Sequence, residues 1–198
     1  PAATREISIV PVNDAPVLID IQGQTISEGG TFTPINLDGY VADADHADAE
    51  INWSYSGNTQ LTVAIVNRIA TITAPSSEWS GSETITFRAT DPGNLWSEDA
   101  AAFIVTAVND APVVTDIPNQ TIAEGASFTN INLDGFVSDV DNTDAQISWS
   151  FSGNTNLSVS ITNRVATISV PNSDWNGTET ITFRATDPGL LWDNDAST

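Results

Sequence analysis

Asp43-x-Asp45 followed by Asp48 recurs as Asp139-x-Asp141 followed by Asp144. Side chains two apart on an extended backbone point the same way, so each pair can present two carboxylates to one ion. Calcium takes about six to eight oxygens at roughly 2.3–2.6 Å and tolerates irregular shells, so donors from several loops can combine. Further oxygen donors occur in both halves: Glu28 with Glu124, Glu78 with Asp174, Asp91 with Asp187, and Asn13-Asp14 with Asn109-Asp110. The competing reading of these acids is solvated turn residues on an acidic surface, and for Asp20, Asp38 and Glu83 that reading is preferred.

The donors recur because the chain is two copies of one unit. Val12-Asn-Asp-Ala-Pro-Val17 returns as Val108-Asn-Asp-Ala-Pro-Val113, and the offset of 96 then runs without a gap to the C-terminus. Thr86-Phe-Arg-Ala-Thr-Asp-Pro-Gly93 meets Thr182-Phe-Arg-Ala-Thr-Asp-Pro-Gly189 at the same offset. A period of this length predicts serial domains, each with its own core, and not a solenoid of short stacked units. The duplication also filters the chemistry. His46, the single histidine, becomes Asn142, so histidine-dependent nucleophilic catalysis cannot be common to both units. Paired carboxylates can hydrolyse glycosides, but acids repeated in loops match a metal site better, and no enzymatic activity is expected.

The net charge is −21, and the five basic residues are all arginine. Phosphate binding needs clustered cations, which excludes nucleic acid and anionic lipid surfaces as partners. Divalent cations or salty water suit this surface. Cysteine and methionine are absent, so neither disulfides nor thiol chemistry is used. No run is apolar enough to cross a bilayer, and the first residues lack the pattern of a signal peptide. Exposure to an oxidising medium, outside the cell or at its surface, is the expected setting.

Hydrophobic residues make up 40 % of the chain and fall in short alternating runs, the pattern of a foldable β domain. Val17, Ile19 and Ile21 alternate, with Ile26 resuming the pattern, and Thr31 to Leu37 reads as the next strand. Ile51, Trp53 and Tyr55 follow, then Leu61, Val63 and Ile65 after the Gly57-Asn58 turn. Asn67-Arg68 is a tight hairpin leading into Ala70, Ile72 and Ala74. Ile85, Phe87 and Ala89 line one face of the sixth strand, and Ala101, Phe103 and Val105 mark the seventh. The spacing predicts two tandem all-β, seven-stranded Greek-key sandwiches, immunoglobulin-like in class. Trp53 and Trp149 are expected in the cores. Trp79, Trp96, Trp175 and Trp192 lie beside loops, where corner packing is favoured over sugar stacking.

The motifs in their order give a specific resemblance. Val-Asn-Asp-Ala-Pro-Val at the linker, Glu28 ending the first strand, Asp43-Ala-Asp45 before the third and Ala89-Thr-Asp91-Pro-Gly93 closing the sixth resemble a cadherin domain. The bacterial cadherin-like tandem repeats of large surface proteins and adhesins are most similar. That resemblance implies calcium at the junction of consecutive domains, held by Glu28, Glu78, Asn109, Asp110, Asp139, Asp141 and Asp187, with Asp14, Asp43, Asp45 and Asp91 as the equivalent donors of unit one. Two departures bear on the ion count: Ser76-Ser-Glu78 lacks the first acid of the cadherin loop, and the linker is one residue short. Fewer than three ions per junction are expected.

The unit boundaries fall at 13–108 and 109–198. Residues 1–12 align with the seventh strand of unit one, and unit two stops before its own seventh strand. Two readings stand: a window cut from a longer array, or donor-strand exchange in which Ile7 and Ile9 complete unit two of another copy, head to tail. The function favoured is a calcium-rigidified adhesive or structural repeat of a surface fibre that associates with neighbouring repeats or copies. The alternative is a module binding cell-surface polysaccharide through the loop tryptophans.

Overall fold

The computed structural model describes Arg5 and residues 8–198. It divides into two compact units that meet in sequence between Val108 and Asn109. In unit 1 the strands are β1 (Val17–Leu18), β2 (Gln24–Ser27), β3 (Ile35–Asn36), β4 (Val41–Ala42), β5 (Asn52–Ser56), β6 (Thr62–Val66), β7 (Ile69–Thr73), β8 (Gly81–Thr90) and β9 (Trp96–Thr106). They form sheets ordered β2-β9-β8-β5 and β3-β7-β6, with β1 paired to β4. Unit 2 has β10 (Val113–Val114), β11 (Ile131–Asn132), β12 (Val137–Ser138), β13 (Ser148–Ser152), β14 (Ser158–Thr162), β15 (Val165–Ser169), β16 (Ile181–Thr186) and β17 (Trp192–Ser197). Its sheets are β13-β16-β17 and β11-β15-β14, with β10 paired to β12. The described residues contain no α-helix, only single turns of 3-10 helix such as Asp48–Glu50.

Both units are all-β and built from paired sheets, as the alternation predicts. Ile85, Phe87 and Ala89 are all fully buried on one face of β8, and Phe103 packs edge-on against Phe32 with ring centroids 5.3 Å apart. Two expected strands differ in detail. The first breaks into β1 and β2 because the backbone leaves the ladder to bond a side chain: the Ile21 amide donates to Asp99 Oδ2 at 2.8 Å. Gly23 sits in the break, where a Cβ would lie 2.5 Å from the Ala102 carbonyl oxygen. The second expected strand, Thr31 to Leu37, pairs only at Ile35–Asn36. Upstream, the Gln24 side chain takes both backbone groups of Thr33, accepting from its amide at 2.8 Å and donating to its carbonyl at 2.9 Å.

The β6–β7 hairpin turns through Asn67 and Arg68 with φ of 50° and 61°, the two left-handed residues that match the strand twist. Arginine there is offset by anchoring: its Nε donates to Asp38 Oδ1 at 2.7 Å and its carbonyl accepts from the Leu37 amide at 2.9 Å. Asp38 is therefore a hairpin anchor and not a merely solvated acid.

Glu83 is corrected in the same sense. Its carboxylate accepts from the Thr59 amide and hydroxyl and from the Gln60 and Leu61 amides, pinning the turn between β5 and β6. Glu179 repeats this around Thr155, Asn156 and Leu157. Desolvation pushes the Glu179 carboxyl up, but the bonds from Thr155 and Asn156 together outweigh it and bring the pKa to about 2, from an ordinary 4.5. A carboxyl depressed on folding stabilises above its unfolded pKa and loses that contribution as pH falls through the folded value. Melting curves of Glu179→Gln are therefore expected to lose part of the stability fall that the parent's unit 2 shows between pH 4.5 and about 2.

The two cores differ at one place. In unit 1, Phe103 and Val105 of β9 are buried against Phe32 and Ile72. In unit 2 the equivalent surface is a groove of about 250 Å³ bordered by Ile122, Phe128, Ile131, Ile168, Trp175 and Ile181. Phe128 and Ile168 are only partly buried there, whereas Phe32 and Ile72 are buried.

Candidate metal centre

The acidic cluster of unit 1 is built from three segments. Asp43 follows β4 and closes a turn: its Oδ1 accepts from the Asp45 amide at 2.8 Å and the His46 amide at 2.9 Å. The linker docks onto this turn, with the Asp14 amide donating to Asp45 Oδ2 at 2.8 Å. Asp91 ends the β8 side of the loop to β9, where Asn13 Nδ2 donates to its Oδ2 at 2.8 Å and the Leu95 amide to its Oδ1 at 2.9 Å. Asp91 is 2 % exposed. Gly93 makes this fit possible, since a Cβ there would fall 2.5 Å from Asn13 Nδ2.

Unit 2 reproduces each contact. Asp139 Oδ1 accepts from the Asp141 and Asn142 amides at 2.9 and 2.8 Å. The Asp110 amide donates to Asp141 Oδ2 at 2.8 Å, and Asn109 Nδ2 to Asp187 Oδ2 at 2.7 Å. The Leu191 amide donates to Asp187 Oδ1 at 2.9 Å. The structure thus gathers Asp14, Asp43, Asp45 and Asp91 in unit 1, and Asn109, Asp110, Asp139, Asp141 and Asp187 in unit 2.

One atom in each cluster lacks a protein partner. Asp43 Oδ2 and Asp139 Oδ2 are buried and accept no hydrogen bond, and the Asp43 side chain has no exposed surface. The Asp45 amide, and then the His46 amide and ring, outweigh burial and hold the Asp43 carboxyl below the usual carboxylate value. An ionised oxygen without water or donor costs free energy unless a cation satisfies it. Ligand atoms of Asp43, Asp91 and His46 lie within 4.8 Å of one another, near enough to share one cation. The carboxylates of this cluster fit a calcium ion, which takes oxygen ligands.

Glu28 and Glu78 lie elsewhere in unit 1, where the chain leaves it. Glu28 Oε2 accepts from the Val108 amide at 2.9 Å, and the Gly29 amide donates to the Ser77 carbonyl at 2.9 Å. Sequence reasoning set His46 aside as private to one unit, yet its place three residues after Asp43, on a turn that Asp43 itself caps, was the available signal. Ile7 lies outside the described residues, and Ile9 is 93 % exposed.

Trp53 and Trp149 pack against their cores, as do Trp79 and Trp175 at the corners. Trp96 is 50 % exposed, but the Arg88 guanidinium lies 4.1 Å from its ring centre, and Arg184 lies 3.9 Å from Trp192. A cation thus covers one face of each exposed indole.

The family described as "Bacterial Ig domain" matches residues 13–105 and again 109–194. Among solved structures, Drosophila N-cadherin EC1-4 is similar at 16% identity and a TM-score of 0.56, covering 93% of this chain and 49% of that one. Mouse Cadherin-23 EC22-24 is similar at 19% identity and a TM-score of 0.54, covering 92% of this chain and 63% of that one. The chain spans 39% to 48% of the protocadherin chains it also matches. No curated protein matches the sequence.

Proposed function

As the chain belongs to the bacterial Ig domain family, in two tandem copies, we propose that it is a calcium-loaded structural and adhesive repeat of an extracellular surface fibre. The observation that carries this is the pair of buried, unpartnered carboxylate oxygens, Asp43 Oδ2 and Asp139 Oδ2, at equivalent places in the two units. Asp14, Asp43, Asp45 and Asp91 would hold the ion in unit 1, and Asp110, Asp139, Asp141 and Asp187 in unit 2. Calcium supplies positive charge to carboxylates that otherwise repel. Asn109 and Asp110 already bond Asp187 and Asp141, so an ion there would fix the linker to the body of unit 2 and stiffen the chain. The test is a melting titration with calcium and with a chelator. The parent should respond in both units, and Asp139→Ala plus Asp141→Ala should respond in unit 1 alone. Equal responses in parent and variant would sink the assignment.

Self-association follows from the unit 2 groove. Unit 1 fills the equivalent surface with Phe103 and Val105, and β9 there pairs in parallel with β2. The segment bearing Ile7 and Ile9 stands at the same repeat offset from Phe103 and Val105, and Ile9 and Val10 are exposed. We propose that this segment of a second copy enters the groove beyond the end of β17, where unit 1 has the second half of β9, a heterologous contact that propagates head to tail. Sedimentation and negative-stain imaging should show assemblies of the 198-residue chain that disappear when residues 1–11 are removed. Assemblies that survive the deletion would rule the donor role out.

A further inference from the structure

The two clusters share the hydrogen bonds given above but differ in one side chain. In unit 1, His46 sits where unit 2 has Asn142. The His46 Nδ1 lies 3.3 Å from Asp43 Oδ1, and its side chain is 19 % exposed. In unit 2 the Asn142 Nδ2 donates to Asp139 Oδ1 at 3.0 Å. An amide NH2 has no lone pair for a metal, whereas an imidazole nitrogen does.

From this juxtaposition we infer that unit 1 is a mixed nitrogen-oxygen site that takes a borderline-soft divalent metal, of which zinc is the type, while unit 2 is an oxygen-only site. Imidazole suits zinc, copper and nickel, and carboxylate with carbonyl oxygen suits calcium and magnesium. Asp43, His46 and Asp91 supply three ligands, leaving a fourth position for water, a common zinc arrangement. Tetrahedral ligands at about 2.0–2.1 Å stand roughly 3.4 Å apart. His46 Nδ1 stands 3.3 Å from Asp43 Oδ1, close to that spacing, and the ligand atoms of all three residues lie within 4.8 Å of one another. Asp43 Oδ2, buried without a partner, is the second and independent mark of a bound cation. Asp91 is held by Asn13 and Leu95 through one hydrogen bond on each oxygen, which leaves lone pairs free on both.

The inference shares Asp43 and Asp91 with the calcium reading and rests on it only in taking them as metal ligands. The test is calorimetric titration of the whole chain with zinc chloride and, separately, calcium chloride, on the parent, His46→Asn and Asn142→His. His46→Asn copies the residue that unit 2 already carries, so it is compatible with the fold. The parent should bind one zinc, His46→Asn should bind it about tenfold or more weakly, and Asn142→His should gain a second zinc. Cobalt in place of zinc gives a spectroscopic check: a strong visible tetrahedral band in the parent that His46→Asn lacks. Zinc affinity unchanged by His46→Asn overturns the inference even where calcium binds. Calcium failing to bind while zinc binds through His46 overturns the calcium reading alone.

Discussion

Calcium at a hundredfold excess over its dissociation constant is expected to raise the melting temperature of each repeat by roughly 10–20 °C, from about 2.7 kcal/mol of linkage at about 4–8 °C per kcal/mol. An ion held at these clusters would bind only the folded arrangement. Asp91 comes from the β8–β9 loop, Asp43 and Asp45 from the turn after β4, and Asp14 from the linker. These segments are brought together by the fold, so the unfolded chain offers no equivalent site. Repulsion within a chain of net charge −21 is relieved by any salt, which gives the control. Sodium chloride at matched ionic strength screens long-range repulsion but cannot fill Asp43 Oδ2 or Asp139 Oδ2. A rise that calcium produces and sodium does not therefore reports the site. A rise of the same size with sodium would reduce the acids to surface charge.

Phe87→Ala is expected to cost unit 1 about 3–5 kcal/mol. At about 0.05–0.15 kcal/mol per residue, a domain of this length holds only on the order of 5–14 kcal/mol. Phe87 is fully buried, and its ring meets Phe103 edge-on at 6.4 Å. Its removal empties space on the inner face of the β2-β9-β8-β5 sheet, where Ile85 and Ala89 flank it on the same strand. The two units have separate apolar clusters, so calorimetry should show the unit 1 transition falling by well over 10 °C while the unit 2 transition holds. Both transitions falling together would show that the cores are not thermodynamically separate.

Much of this was legible in the sequence because both signals are periodic. Alternation placed Ile85, Phe87 and Ala89 on one face, and Asn67-Arg68 marked a turn that needs two left-handed residues. Repetition singled out Asp43, Asp45 and Asp91. What sequence could not show was which acids the backbone had already claimed. Asp38, Glu83 and Asp99 look like Asp43 on paper, but each spends its oxygens on Arg68, on the Thr59 turn or on the Ile21 amide. Three-dimensional closure decides this, since partners 22 to 78 residues away leave no local pattern. Likewise Gln24, an unremarkable polar residue, cuts short the strand that Thr31 was expected to begin.

The pairing of β2 with β9 has a mechanical meaning. These strands run parallel, from Gln24 beside Phe103 to Ser27 beside Thr106, and β2 lies near the start of the unit while β9 ends it. Tension applied between the two ends of unit 1 therefore pulls the strands past one another along their own axes. The bonds of the ladder, and the Glu28 amide bonded to the Thr106 carbonyl just beyond it, are loaded side by side and must break together. An antiparallel hairpin pulled from its open end would surrender its bonds singly, at far lower force. Unit 1 is built to carry load along the direction of its own β2 and β9 strands.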